Sequence, residues 1–339
     1  LNATLRAVVK TATNHFGLEV LGIKDGFQGA LEGRFQRLSF DDVSGILTKG
    51  GTILGTNNRI NPFSYGASKE DRSEKVMKNI YQMKIDGLIV IGGDGTLTIA
   101  QRFIQKGLPL VAIPKTIDND VPGTEWTIGF HSAVAIAGQA IEALHSTAES
   151  HHRVMVVEVM GRYAGWISLY SGLASGGDVI LLPEIPYDIS KICQVIAQRE
   201  KMERTFSIVV VAEGATSISG EMVVQKDIPG SYEKVRFGGI GKIIADQIEN
   251  VTGKETRVVV LGHLQRSGVP IEFDRLLATL FGQKAVEMLC RGSFGKMTAL
   301  NCGEISAVDF ANVLEGPRKV PINSPVIMTA RNIGTSFGD

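Results

Sequence analysis

Two short segments of this chain carry residue types suited to handling phosphate. Gly93-Asp94-Gly95-Thr96 follows the apolar run Gly87 to Gly92 (GLIVIG) and precedes a helical pattern. Successive glycines let the backbone bend sharply and come close to phosphate oxygens, and the next helix N-terminus offers free N–H donors and partial positive charge. Asp94 in the middle would repel a bare phosphate, so its chemical role is to hold Mg²⁺ that bridges phosphate oxygens. The plainer alternative is a tight turn in which Asp94 or Thr96 caps the helix. The segment is neither a Walker A motif nor a dinucleotide fingerprint, since no G-x-G-x-x-G follows. The second segment, Pro114-Lys115-Thr116-Ile117-Asp118-Asn119-Asp120, follows the apolar run Pro109 to Ile113. It sets two carboxylates at i and i+2 beside a hydroxyl and a cation. A carboxylate next to bound phosphate and Mg²⁺ can accept the proton of an attacking alcohol; the alternative is a pair of solvated turn residues. Together the two segments point to a pocket for phosphoryl transfer.

Such segments need strands to hold them. Short apolar runs alternate with amphipathic stretches from end to end. Further strand candidates are Val154 to Val159, Asp178 to Leu182, Phe206 to Ala212 and Thr256 to Leu261. Strands this apolar are covered on both faces, which indicates parallel sheets flanked by helices, a doubly wound α/β protein. Val76, Ile80 and Met83 share a helical face within Asp71 to Lys84; Leu97, Ala100, Phe103 and Ile104 do the same, with Gly107 as C-terminal cap. More than eight strand–helix units fit poorly into one sheet, so two are expected, joined by tight crossovers. In such sheets ligands bind at the carboxyl ends of strands, where both segments lie.

The chain's 339 residues and 36.5 kDa suffice for two medium domains with real cores. Lys plus Arg is 35 and Asp plus Glu is 35, a balance that argues against a nucleic-acid binder with a broad basic field and against a polybasic membrane anchor. Three cysteines without regular spacing exclude a disulfide framework and a zinc ribbon, and fit a reducing cytoplasm. No apolar run approaches the ~18 residues of a membrane span. Glycine is in excess, 39 residues, above the usual proportion of about 7%.

The motifs GGDGT (Gly92–Thr96), PKTIDND (Pro114–Asp120), IGFHSA (Ile128–Ala133), VEVMGRYAGW (Val157–Trp166), AEG (Ala212–Gly214) and LGHLQRSG (Leu261–Gly268) occur in one order. In this the chain resembles the phosphofructokinase A family across essentially its whole length. The resemblance implies two Rossmann-like domains with mainly parallel sheets and an active site in the cleft between them. A nucleotide-binding domain would comprise 1–129 plus 265–315, and a sugar-phosphate-binding domain 130–264 plus 316–339. It implies Mg²⁺-dependent phosphorylation of the 1-hydroxyl of fructose 6-phosphate, with ATP as co-substrate, in the cytoplasm. By motif, Asp118 resembles the general base, Asp120 the second acidic residue, Thr116 a residue that holds the transferring phosphoryl group, and Asp94 the Mg²⁺ ligand. Arg162 looks like the cation that neutralises charge developing on that group, as arginines do in such transition states. Gly93, Gly95 and Thr96 match the nucleotide-phosphate turn, and Arg59 in GTNNRINPF resembles a further nucleotide-phosphate contact.

Sugar-phosphate binding would fall to Met160, Gly161, Glu213, His263 and Arg266, with Arg153 and Arg257 contributed by a neighbouring subunit. An arginine fork suits phosphate because it offers several donors in one plane. The plainer alternatives are a helix cap for Glu213, a core histidine for His263, and surface ion pairs for Arg153 and Arg257. A site completed by a second chain implies a homo-oligomer, a tetramer or a dimer.

The chain departs from the family pattern in three places. The family opens with a strand and a GGD-x-x-GLN loop, whereas Leu1-Asn2 matches only the end of that motif. A sheet is therefore expected to carry an unpaired edge, and the chain as it stands to be weakly active or inactive beside an active full-length parent. In the family, Gly at the place of Gly95 goes with ATP, while Lys115 is typical of the pyrophosphate branch and Ile99 replaces a small glycine near the nucleotide. ATP is the favoured donor, because Gly95 bears directly on whether the α-phosphate fits; a pyrophosphate-dependent phosphotransferase and a silent sugar-phosphate-binding subunit are the alternatives. At the family's effector site Arg6, Lys10 and Arg204 suit basic positions, but Phe40, His145 and Met202 stand at others, so control by ADP and phosphoenolpyruvate is not expected. A nicotinamide dehydrogenase is dismissed for want of its phosphate fingerprint.

Overall fold

Two layered halves organise the computed structural model, which describes residues 1–57, 59–220, 224–227, 235–313 and 315–339. The chain opens with α1 (Asn2–Phe16), then β1 (Val20–Ile23), α2 (Phe27–Glu32) and β2 (Phe35–Leu38). Next come α3 (Ser73–Gln82), β3 (Leu88–Gly92), α4 (Asp94–Gln105), β4 (Leu110–Thr116), β5 (Ile128–Gly129) and the long α5 (Phe130–His151). The middle of the chain supplies β6 (Val154–Val159), α6 (Trp166–Ala174), β7 (Val179–Leu181), α7 (Ile189–Lys201), β8 (Ser207–Ala212), β9 (Val224–Asp227), β10 (Val235–Phe237), α8 (Ile240–Thr252) and β11 (Thr256–Val260). After a 3₁₀ turn at Gly262–Arg266 the chain ends with α9 (Glu272–Cys290), β12 (Lys296–Asn301), β13 (Glu304–Asp309) and α10 (Pro325–Asn332).

The first sheet has the order β13-β12-β4-β3, with β5 pairing β4; the second has the order β11-β6-β8-β7 and is parallel throughout. Every residue of β6 and β8 is buried, because α5 and α6 cover one face of that sheet while α7 and α8 cover the other. The doubly wound architecture read from the apolar runs is present, and all six strand candidates are strands. Two antiparallel strand pairs, β1 with β2 and β9 with β10, lie outside the two main sheets, and β13 runs antiparallel to β12. The β12–β13 link is a two-residue turn, Cys302-Gly303, with both residues at positive φ, the arrangement that matches strand twist in tight hairpins.

One helical face differs from the periodicity. Val76 and Ile80 are buried, but Met83 lies beyond the end of α3 and is exposed, and Met77 takes the third inward place. On α4, Leu97, Ala100 and Phe103 are buried as expected. Gly107, at φ +85°, closes that helix by donating its N–H to Ile104 O at 2.9 Å.

The unpaired sheet edge is also present. Among the described residues β3 pairs only with β4. A cavity of about 730 Å³ runs along that side, lined by Leu5, Val8, Ile23, Leu38, Ile89 and Ile91 among others.

Candidate active site

Parallel strands in register bring their carboxyl ends to one level, and here those ends carry the motifs. Gly92 stands opposite Pro114 in the first sheet, so Gly93-Asp94 and Lys115-Thr116 leave the sheet side by side. In the second sheet Val159 stands opposite Ala212, which sets Met160-Gly161-Arg162 beside Glu213-Gly214. Val260 pairs with Glu158, and the 3₁₀ turn carrying His263 and Arg266 starts just beyond.

The turn after β3 is tight. A methyl on Gly93 would sit 3.2 Å from Thr116 Cβ, so the two segments lie against each other. Gly93 is the N-cap and α4 begins at Asp94, so neither Asp94 nor Thr96 is the cap that the plainer reading required. Asp94 is exposed at the first turn of the helix.

The acidic turn is built rather than loose. Thr116 Oγ1 accepts the N–H of Asp118 at 3.2 Å, and its carbonyl accepts from Thr127 Oγ1 at 2.8 Å. Between the carboxylates, Asn119 is fully buried and left-handed at φ +52°. Its Oδ1 accepts the N–H of Thr127 at 3.0 Å, and its Nδ2 donates to Glu125 O at 3.1 Å. That conformation turns the chain so that both aspartates are held at the strand end.

The charges of the two sheets act on one another. Burial, then the negative charge of Asp118, raises the Asp120 carboxyl well above the usual carboxylate range; Asp94 adds to this and Arg318 opposes it. Burial first and Asp118 second also push Glu213 up to about 7, against the pull of Arg162 and Arg266. Lys115, mostly buried, is lowered by burial and by Arg266. Asp94, Lys115, Asp118 and Asp120 thus lie within reach of the charges of Arg162, Glu213 and Arg266. The glycines of the second sheet explain its close packing: Gly161 adopts φ +142°, and Gly214 donates its N–H to Gly161 O at 3.0 Å.

The remaining expected residues sit elsewhere. His263 is exposed, so it is not a core histidine. Arg153 precedes β6 and Arg257 is the second residue of β11, at the opposite ends of these strands from the cleft. Both pair with Glu255, Arg153 at 2.8 Å. Within one chain they are not brought to the site. Arg59 is exposed on a loop, its N–H held by Asn57 Oδ1 at 2.9 Å. Lys10 lies 3.5 Å over the ring of Phe40, and His145 Nε2 stands 2.8 Å from Ser175 O.

Several positioning residues were not legible in the motifs. Gln265 is buried and its Oε1 accepts the N–H of Met160 at 3.3 Å, tying the 3₁₀ turn to β6. Glu158, 2% exposed, accepts the N–H groups of Gly239 and Gly241 and so caps α8. Asp274 on α9 accepts from the N–H groups of Gly129 (2.9 Å) and Ser132 (2.7 Å) at the start of α5. Ser132 Oγ in turn accepts the N–H of Ile271 at 3.1 Å. Arg318 reaches the acidic turn, where its guanidinium donates to Asn119 O and Glu125 O.

A phosphofructokinase family model matches residues 1–289. The chain belongs to the phosphofructokinase family. This phosphofructokinase is 48% identical over 345 residues to the ATP-dependent 6-phosphofructokinase of Spirochaeta thermophila, across 100% of this chain and 94% of that relative. It also resembles the solved phosphofructokinase of Pichia pastoris, with a TM-score of 0.81 and 33% identity, over 93% of this chain and 36% of that one. A pyrophosphate-dependent phosphofructokinase from Marinobacter aquaeolei gives a TM-score of 0.76 at 25% identity, over 96% of this chain and 84% of that one.

The family implies Mg²⁺, and the residues present fit it. Asp94 offers carboxylate oxygens to the cleft, and the buried Oδ1 of Asp120 has no hydrogen-bond partner. Among the described residues no group of three or more His, Cys, Asp or Glu encloses a metal. Among those residues no helix is long and apolar enough to cross a membrane.

Proposed function

We propose that this phosphofructokinase transfers the terminal phosphoryl group of ATP to the 1-hydroxyl of fructose 6-phosphate, giving fructose 1,6-bisphosphate and ADP. One observation carries the reading: two carboxylates, Asp118 and Asp120, are fixed where the phosphate turn of one sheet meets the Arg162–Glu213 end of the other. Burial, and then the negative charge of Asp118, drives Asp120 toward its protonated form. In this reading Asp118 is the base, as its place in PKTIDND implies. Asp118 takes the proton of the 1-hydroxyl as the new O–P bond forms and the bond to ADP breaks. Thr116 and Arg162 hold the transferring group, Arg162 by neutralising its charge. When bound, Mg²⁺ neutralises charge on the phosphate oxygens, and Asp94 would hold it.

Gly93, Gly95, Thr96 and Arg59 bind the nucleotide in this reading, with Gly95 leaving room for the α-phosphate. Met160, Gly161, Glu213, His263 and Arg266 bind the sugar phosphate. The lobes would be 1–129 plus 265–315 and 130–264 plus 316–339. Arg153 and Arg257, remote from their own chain's cleft, serve that of a neighbour in a homo-oligomer, a tetramer or a dimer. Phe273, Leu276 and Leu280, exposed along one face of α9, support such self-association. The compartment is the cytoplasm.

The test is an assay with fructose 6-phosphate and Mg²⁺, offering ATP and pyrophosphate separately. Turnover with ATP is expected of the chain carrying the family's opening loop; turnover with pyrophosphate alone would replace the donor, and none with either would overturn the reading. Asp118→Ser should lower kcat by orders of magnitude with little change in sugar affinity, and retained turnover would remove Asp118 as the base.

A further inference from the structure

Arg318 lies outside every motif that relates this chain to its family, yet its contacts reach both sides of the cleft. The segment that carries it is anchored in the core of the second sheet through Val320, Ile327, Ala330 and Phe337. From there the guanidinium crosses to the acidic turn that follows β4 of the first sheet. Nη2 donates to Asn119 O at 3.1 Å and to Glu125 O at 2.8 Å, and Nε donates to Asn119 O at 3.2 Å. The Arg318 N–H donates to Asp120 O at 2.7 Å. Three successive features of the turn, the left-handed Asn119, the Asp120 backbone and the loop end at Glu125, are therefore held from one residue.

The other side of Arg318 faces the arginine turn. Its guanidinium lies 4.3 Å over the Trp166 ring, and its carbonyl accepts Trp166 Nε1–H at 2.9 Å. Trp166 is the first residue of α6, four positions after Arg162. Glu184 closes the circuit by accepting the N–H of Gly165 at 3.1 Å and that of Val320 at 2.8 Å. A planar fork can bond two carbonyls while stacking on an indole, which a lysine cannot do at once.

We infer that Arg318 is a positioning residue for phosphoryl transfer, fixing the Asp118–Asp120 turn of one sheet against the Arg162 turn of the other. It touches neither substrate in this role. Its effect is on the alignment of the base with the group that neutralises the transferring phosphate. This inference rests on the proposed kinase activity.

Arg318→Met keeps much of the side-chain length and removes every guanidinium bond. It should lower kcat about 10²-fold, the cost of a misplacement near 1 Å, while KM for fructose 6-phosphate stays within about threefold. Sugar binding is read independently as the change in tryptophan emission on adding fructose 6-phosphate, and should persist. Arg318→Lys keeps the charge but loses the planar stacking and part of the bonding, so its kcat should fall between the two; it also carries the test should the Met variant not fold. Unchanged kcat in either folded variant overturns the inference, as does a kcat loss matched by an equal loss of sugar binding. All variants are made in the chain carrying the family's opening loop; if that unsubstituted protein turns over neither donor, it is the kinase reading that fails, because the variants are then compared with an inactive parent.

Discussion

Replacing Gly214 by alanine tests whether the sugar-lobe turn is set by backbone contact. A Cβ at Gly214 would stand 1.9 Å from Arg162 O and 2.7 Å from Arg162 C, with Gly161 O at 3.0 Å. All three are backbone atoms, so no side chain can rotate away. To restore even 3.0 Å the Arg162 carbonyl must recede by 3.0 − 1.9, which is 1.1 Å. The hydrogen bond from Gly214 N–H to Gly161 O ties the same two segments together, so the displacement passes into Gly161 and Arg162. A shift near 1 Å in a catalytic group costs about 10²-fold in rate, and overpacking of this kind costs about 1–3 kcal/mol of stability. Steady-state rates with ATP and fructose 6-phosphate should give kcat lower by about 10²-fold, alongside a small fall in the thermal midpoint. A folded Gly214→Ala protein with kcat within about threefold of its parent would refute the contact argument.

Three further outcomes follow from the same geometry. On the role proposed for Gly95, Gly95→Asp should abolish use of ATP in the coupled assay, because a carboxylate would enter the space of the α-phosphate; an unaffected ATP rate defeats the steric account of donor choice. Asp274→Ala removes the acceptor of three donors at the start of α5 and should cost about 3 kcal/mol, read as a lower urea midpoint with an unchanged slope. Glu213 has a folded pKa raised from 4.5 to about 7, so its stabilising share is complete below pH 4.5 and is lost as pH rises through about 7. Relative to Glu213→Gln, the parent should lose up to about 3 kcal/mol across that window, and parallel stability curves for the two proteins would exclude the linkage.

The carboxyl ends of the strands were readable because each motif is contiguous. GGDG, PKTIDND, MGR and AEG each follow an apolar run, and a parallel strand buried on both faces leaves little doubt about where its polar tip emerges. The failures are equally specific. Met83 fitted the helical period but fell outside α3, since periodicity does not fix where a helix stops. The β12–β13 hairpin was signalled only by Gly303 in a stretch of mixed polarity. His263 had a plainer core reading that only its exposure removes.

The sequence by itself determined the fold class, the family and which residues stand at the strand ends, because local pattern and contiguous motif suffice for each. The tertiary structure alone decided which distant groups hold those ends in place. Arg318 meets Asn119 across 199 positions, Gln265 meets Met160 across 105 and Asp274 meets Gly129 across 145. No local pattern encodes such pairs, since a hydrogen bond depends on where two segments finish in space. The same limit applies to the charges: Glu213 and Asp120 are ordinary carboxylic acids in the sequence. Their protonation is set by burial and by the charges that folding brings around them.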